Sequence, residues 1–295
     1  MTLRGRDFLS VSDLDREELL GVLELAARIK AGGWREQALA GKHVAMLFQK
    51  PSNRTRVSFE VGIARLGGQS VALGENDVQL GERESVPDAA RVLERYVDLV
   101  VARLKRHADL LELAAWSGVP VVNALTELEH PCQVLADLLT LRERFESLEG
   151  VRLVFVGDGN NVVTSLAHAQ ARLGFPFTVV TPPGYEPPAE VRAAAPEMKV
   201  SNDLAAVTGA DAVYTDVWTS MGFESEREER RKAFARYRVD SELLRRAPDA
   251  IFLHCLPAHR GEEVTDEVID GPRSAVWDQA ENRLHAQMAL LALVV

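Results

Sequence analysis

Residues 43–60 constrain this chain more than any other stretch. His43-Val44-Ala45-Met46-Leu47-Phe48 is a short apolar run of the kind that forms a buried strand. Pro51 ends it. Ser52 or Asn53 can then cap a helix whose apolar face runs through Val57, Val61, Ala64 and Leu66 until Gly67-Gly68. Ser52, Asn53, Arg54, Thr55 and Arg56 therefore fall in the first turn of a helix that follows a strand. The free N–H groups and positive dipole end of such a turn attract an anion. Two hydroxyls and two guanidinium groups add donors, and guanidinium grips phosphate in bidentate fashion. That turn suits a phosphorylated small substrate; the plainer reading is a capped helix with solvated arginines.

The same strand-then-helix rhythm recurs along the chain. Val97 to Arg103 is an apolar run ending in a cation, and His107 to Trp116 is helical. Val119 to Val122 reads as a strand, and Glu129-His130-Pro131-Cys132-Gln133 opens a helix to about Phe145. Ser147 to Gly150 is a junction, after which the alternation starts again. Val151 to Val156 leads into the turn Gly157-Asp158-Gly159-Asn160-Asn161, and later strands enter Asp216-Val217-Trp218-Thr219-Ser220-Met221-Gly222 and His254-Cys255-Leu256-Pro257. The pattern predicts an α/β chain of two doubly wound parallel-sheet domains with the active-site cleft between them. The expected domains are residues 1–146 and 147–274, with a C-terminal helix of about 275–295 packing back on the first. Residues 74–85, which carry Gln79, read as a loop, and the mixed charges of 224–236 read as a solvated helix face.

Composition narrows the partners. The formal net charge of -10 argues against nucleic acid or an anionic membrane, and favours a local basic site for an anionic substrate. Two cysteines, Cys132 and Cys255, give no disulfide framework and suggest a reducing compartment, the cytoplasm. Neither a leader peptide nor a membrane span is expected.

Ligands of parallel sheets sit beyond the carboxyl ends of the strands, where every candidate side chain falls. Arg103 is either a second anion contact or a chain-end charge. His130, at a helix N-terminus, is either a neutral donor to a carbonyl oxygen or a simple cap. Gln133 lies on the same helix face and can bind an amide. The turn 157–161 lacks the third glycine of a dinucleotide fingerprint, since Val162 stands there. Asn161 instead offers an amide to a carboxylate or amine, and Asp216 can hold an ammonium group. His254, Cys255 and His259 have no recognised metal-ligand spacing, so no metal is expected.

These motifs resemble one family. Ser52-Asn53-Arg54-Thr55-Arg56 is similar to the Ser-Thr-Arg-Thr-Arg motif of the aspartate/ornithine carbamoyltransferases, with Asn53 in place of Thr, and His130-Pro131-Cys132-Gln133 to their His-Pro-x-Gln. The Ser220-Met221-Gly222 loop, His254-Cys255-Leu256-Pro257 and Glu281-Asn282-Arg283 resemble the ornithine branch. The resemblance spans nearly the whole chain. It implies transfer of a carbamoyl group from carbamoyl phosphate to the δ-amine of L-ornithine, giving L-citrulline and phosphate in arginine biosynthesis. The alternative is a sibling acting on putrescine, an acylated ornithine or aspartate. Ser52, Asn53, Arg54, Thr55, Gln79, Arg103, His130, Gln133, Cys255, Leu256 and Arg283 would bind carbamoyl phosphate. Asn161, Asp216, Ser220 and Met221 would bind ornithine. Arg54, Arg103, His130 and Cys255 would be catalytic, with no cofactor. A homotrimer or a multiple of trimers is implied, with Gln79 reaching a neighbouring subunit's site.

Overall fold

The computed structural model describes residues 3–81, 83–219 and 224–295. The chain divides into two compact units. Met1–Leu139 with Glu281–Val295 form the first, and Thr140–Ala280 the second.

Unit 1 is built on four parallel strands in the order β2-β1-β3-β4: β1 His43–Phe48, β2 Gln69–Gly74, β3 Leu99–Arg103 and β4 Val121–Leu125. β1, β3 and β4 are apolar almost throughout and buried, as strands covered on both faces must be. The core under them gathers Ala45, Leu47, Val100, Ala102, Leu110 and Leu113. The chain runs from β1 to β2 on one side and then returns to β3 on the other, so the strand order reverses between β1 and β3. That reversal opens a crevice at the carboxyl ends of β1 and β3, the usual ligand position in an open parallel sheet. The register shifts between Ala102 and Arg103, whose partners on β4 are Asn123 and Leu125.

Three expectations shift in detail. β4 starts at Val121, because Ser117 Oγ donates to the Val119 carbonyl at 2.7 Å and holds that residue in a turn. Within the predicted loop 74–85, Glu75–Val78 is a short helix; Asp77 Oδ2 accepts from Gly74 N at 2.7 Å and caps it. The C-terminal helix, Val276–Val294, crosses from one unit to the other. Its later part lies close on helix Asn53–Arg65: a methyl at Gly62 would come within 3.1 Å of Met288.

Unit 2 carries five parallel strands in the order β7-β6-β5-β8-β9: β5 Leu153–Val156, β6 Phe177–Val180, β7 Lys199–Ser201, β8 Ala212–Thr215 and β9 Ile251–His254. Here the order reverses between β5 and β8. β7 has only three residues at the sheet edge, too few for a periodicity to show. Val154, Val156, Val213, Tyr237, Phe252 and Val264 pack in one core. The turn after β5 is tight, with Gly159 N donating to the Tyr185 carbonyl at 3.0 Å.

A Cβ at Gly159 would lie 2.4 Å from Pro187 N and 2.6 Å from the Glu186 carbonyl carbon. Both are backbone atoms, so the turn must move. Gly159→Ala should therefore cost about 1–3 kcal/mol, read as a lowered melting temperature by circular dichroism. A melting curve that overlays the unsubstituted protein would refute this reading of the turn.

Candidate active site

At the reversal in unit 1, Ser52 is extended (φ -162°, ψ 112°) and caps helix Asn53–Arg65, with its Oγ accepting from Thr55 N at 3.3 Å. Ser52 Oγ also donates to Thr55 Oγ1 at 3.1 Å. Two hydroxyls thus lie side by side over the free N–H groups of the first turn. Arg54 on that turn is half-buried, and Asn53 is exposed.

The buried cations come from distant sequence. Arg103, 4% exposed, donates from Nε to the Lys50 carbonyl at 3.2 Å. Arg283, 3% exposed, donates from Nη2 to Thr55 Oγ1 at 2.8 Å and from Nη1 to Gln133 Oε1. Gln133 in turn donates from Nε2 to Asp137 Oδ1 at 2.8 Å, which fixes the direction of its amide. Its carbonyl end faces Arg283. Asp137 and Gln133 are wholly buried.

His130 stands just before helix Pro131–Phe145 and is 7% exposed. Burial first, then the Arg283 and Arg103 charges, hold its pKa well below the usual 6.5. It is therefore neutral at physiological pH. Cys132 beside it points away from this chemistry: Sγ donates to the Asn123 carbonyl at 3.2 Å, and burial pushes the thiol up to about 12. Gln79 is exposed, at the end of helix Glu75–Val78 with φ 40°, and is not among the residues these hydrogen bonds join.

In unit 2, three strand ends converge on Asp216, 7% exposed. Asn160 follows β5 and caps helix Asn161–Leu173; its Oδ1 accepts from Val162 N and Val163 N at 3.0 and 3.3 Å. Its Nδ2 donates to Asp216 Oδ2 at 2.8 Å. Cys255, just after β9, donates from Sγ to Asp216 Oδ1 at 3.0 Å. Asn161, half-buried, is the first residue of the helix, and Leu256, also half-buried, has φ 56°. Ser220 and Met221 lie outside the described residues.

Two members of this neighbourhood were not singled out by the sequence. Asn160 was legible as the cap preceding an apolar helix. Arg230 was not: it sits in the run expected to be a solvated face, yet it is 6% exposed. Its Nη1 donates to Asp158 Oδ2 at 2.7 Å and to the Trp218 carbonyl at 3.1 Å. Burial raises the pKa of Asp158, and the Arg230 charge works against that rise.

Among the described residues two groups could offer ligand atoms to a metal ion, Asp216-His254-Cys255 and His259-Glu262-Glu263. In the first, Cys255 is already committed to Asp216, and both ring nitrogens of His254 are engaged by Leu256 N and Glu263. In the second, Glu262 is held by Arg227 Nη2 at 2.9 Å.

Residues 6–143 match the carbamoyl-P binding domain of the aspartate/ornithine carbamoyltransferases, and residues 149–294 match their Asp/Orn binding domain. The chain belongs to this family. It is 54% identical to an ornithine carbamoyltransferase of Symbiobacterium thermophilum, over 100% of this chain and 99% of that one. It is 50% identical to an anabolic ornithine carbamoyltransferase of Pyrococcus furiosus, over 100% and 98%. The solved structure of an ornithine carbamoyltransferase from Pyrococcus furiosus superposes with a TM-score of 0.95 at 51% identity, covering 100% of this chain and 98% of that one. An N-acetyl-L-ornithine transcarbamylase structure is more distant, at 33% identity and a TM-score of 0.89, covering 98% of this chain and 100% of that one. In this family member Ser52, Thr55, Arg103, His130, Gln133 and Arg283 all fall in unit 1, within the first matched domain apart from Arg283.

Neutral His130 has a thermodynamic signature. Below about pH 6.5 the unfolded chain takes up a proton that the folded chain refuses, so stability falls as pH falls. His130→Asn should therefore lose less melting temperature than the unsubstituted protein between about pH 7 and pH 5. Equal losses in the two proteins would show that His130 titrates normally.

Proposed function

We infer that the protein is an ornithine carbamoyltransferase, transferring the carbamoyl group of carbamoyl phosphate to the δ-amine of L-ornithine to give L-citrulline and phosphate. The observation that carries this reading is the paired content of the two units: a buried cationic cradle in unit 1 and a carboxylate–thiol contact in unit 2. Full-length identity of about half to ornithine carbamoyltransferases favours ornithine over acylated ornithine.

The roles combine the family resemblance with these contacts. The first turn of helix Asn53–Arg65, with Ser52, Asn53, Arg54, Thr55 and Arg103, receives the phosphate; its N–H groups and guanidinium charges stabilise it as a leaving group. Thr55, Arg103, Arg283 and neutral His130 donate toward the carbonyl oxygen, which becomes an oxyanion when the amine attacks. A neutral imidazole suits this task, because it donates a hydrogen bond without bringing a third desolvated cation. Gln133, anchored through its Nε2, turns its Oε1 toward Arg283 and accepts from the carbamoyl NH₂. In unit 2, Asn161, Asp216, Ser220 and Met221 hold the amino-acid end of ornithine, and Cys255 and Leu256 face the δ-amine. The δ-amine attacks the carbonyl carbon, the C–O bond to phosphate breaks, and the amine nitrogen sheds a proton. No cofactor takes part in these steps.

We assign the enzyme to arginine biosynthesis in the cytoplasm, as a homotrimer or a multiple of trimers in which Gln79 serves a neighbouring subunit. The anabolic designation of the Pyrococcus furiosus relative supports that direction. Among the described residues no helix is long and apolar enough to cross a membrane.

Citrulline formation should appear with L-ornithine and be absent with N-acetyl-L-ornithine, putrescine and L-aspartate; turnover with another acceptor alone would overturn the unit 2 assignment. His130→Asn should lower kcat by about 10²–10³, the typical cost of losing one oxyanion donor. A change in KM with kcat intact would mean that His130 only binds. Because an alkyl ammonium has a pKa of about 10.4, the rate should rise toward alkaline pH, and a flat profile would count against attack by the free amine.

A further inference from the structure

His254 and Glu263 form a buried pair beneath the turn that carries Cys255 and Leu256. His254 is 1% exposed and Glu263 wholly buried. Leu256 N donates to His254 Nδ1 at 2.9 Å, so Nδ1 must keep its lone pair. The ring proton is then on Nε2, which faces Glu263 Oε1 at 3.1 Å and donates to it. The same carboxylate oxygen accepts from His259 N at 2.5 Å. Glu263 therefore selects one tautomer of His254, and that tautomer accepts from Leu256.

Leu256 needs such a hold. Its φ of 56° is in the left-handed region, which a branched side chain resists. Neighbouring Cys255 depends on the same turn to place Sγ 3.0 Å from Asp216 Oδ1. An alternative tautomer would set a ring N–H against the Leu256 N–H, and the turn would move.

We propose that Glu263 and His254 are positioning residues for the reaction: together they lock the turn that presents Cys255 and Leu256 to the substrates. The proposal rests on the carbamoyl-transfer reading, but the turn itself can be read without turnover. Cys255 is half-buried, whereas Cys132 is buried with its thiol pushed up to about 12, so thiol labelling of the native protein reports on Cys255.

Three variants test it. Glu263→Ala removes the acceptor and frees the ring to change tautomer. Glu263→Gln keeps an acceptor oxygen. His254→Gln can still reach Glu263 but ends beyond the Leu256 N–H, and it carries the test should Glu263→Ala not fold. Glu263→Ala and His254→Gln should lower kcat by about 100-fold, as a misplacement of roughly 1 Å does, and leave the KM for carbamoyl phosphate within about threefold. Both should label faster at Cys255, by about tenfold, and Glu263→Gln should stay near the unsubstituted protein in every readout. Unchanged labelling and kcat in the first two, or equal damage in Glu263→Gln, would overturn the proposal. Altered labelling in a protein that makes no citrulline would keep the lock and discard the assigned reaction instead.

Discussion

Arg103 and Arg283 are almost wholly removed from water, and a desolvated guanidinium is costly unless its donors are met. The acceptors shown for them are neutral: a main-chain carbonyl for Arg103, and an amide oxygen and a hydroxyl for Arg283. Such acceptors satisfy geometry while leaving the positive potential in place for a substrate. The same two charges, after burial itself, keep His130 unprotonated. Buried Arg283 thus touches the first turn of helix Asn53–Arg65 and Gln133, and both guanidinium groups help set the state of the imidazole.

Unit 2 inverts that logic. A buried carboxylate, Asp216, receives an amide N–H from the end of β5 and a thiol from the end of β9. Neutral donors again satisfy the charge without cancelling it, now with the opposite sign. Arg103 and Arg283 of unit 1 are buried guanidinium groups, and Asp216 of unit 2 is a buried carboxylate. Both use the place where a parallel sheet reverses its strand order.

Much of this was legible in sequence because the chemistry follows strands. The apolar run of β1 ends at Phe48, four residues before Ser52, and that of β3 ends at Arg103, so period and position agreed there. Asn160 could have been found from capping rules, since its side chain does what a cap residue does. Arg230 could not. Among the charges of 224–236 nothing local distinguishes it, and its contacts with Asp158 and the Trp218 carbonyl are tertiary. The tautomer of His254 was equally hidden, because its Nε2 partner is nine residues on and fixed by the fold. Local pattern reports which elements form; it says little about which polar side chain those elements enclose.

Arg283 lies 228 positions after Thr55 and 150 after Gln133, with all of unit 2 in between. A ribosome delivering about 5–20 residues per second leaves roughly 8–30 s between the emergence of Gln133 and that of Arg283. During that interval the hydrogen-bonded cluster of unit 1 exists only in part: its hydroxyl and amide acceptors are present, and the cation that joins them is not. Unit 2 is continuous in sequence and can close in a single pass. The unit whose synthesis begins first is therefore the last to be completed.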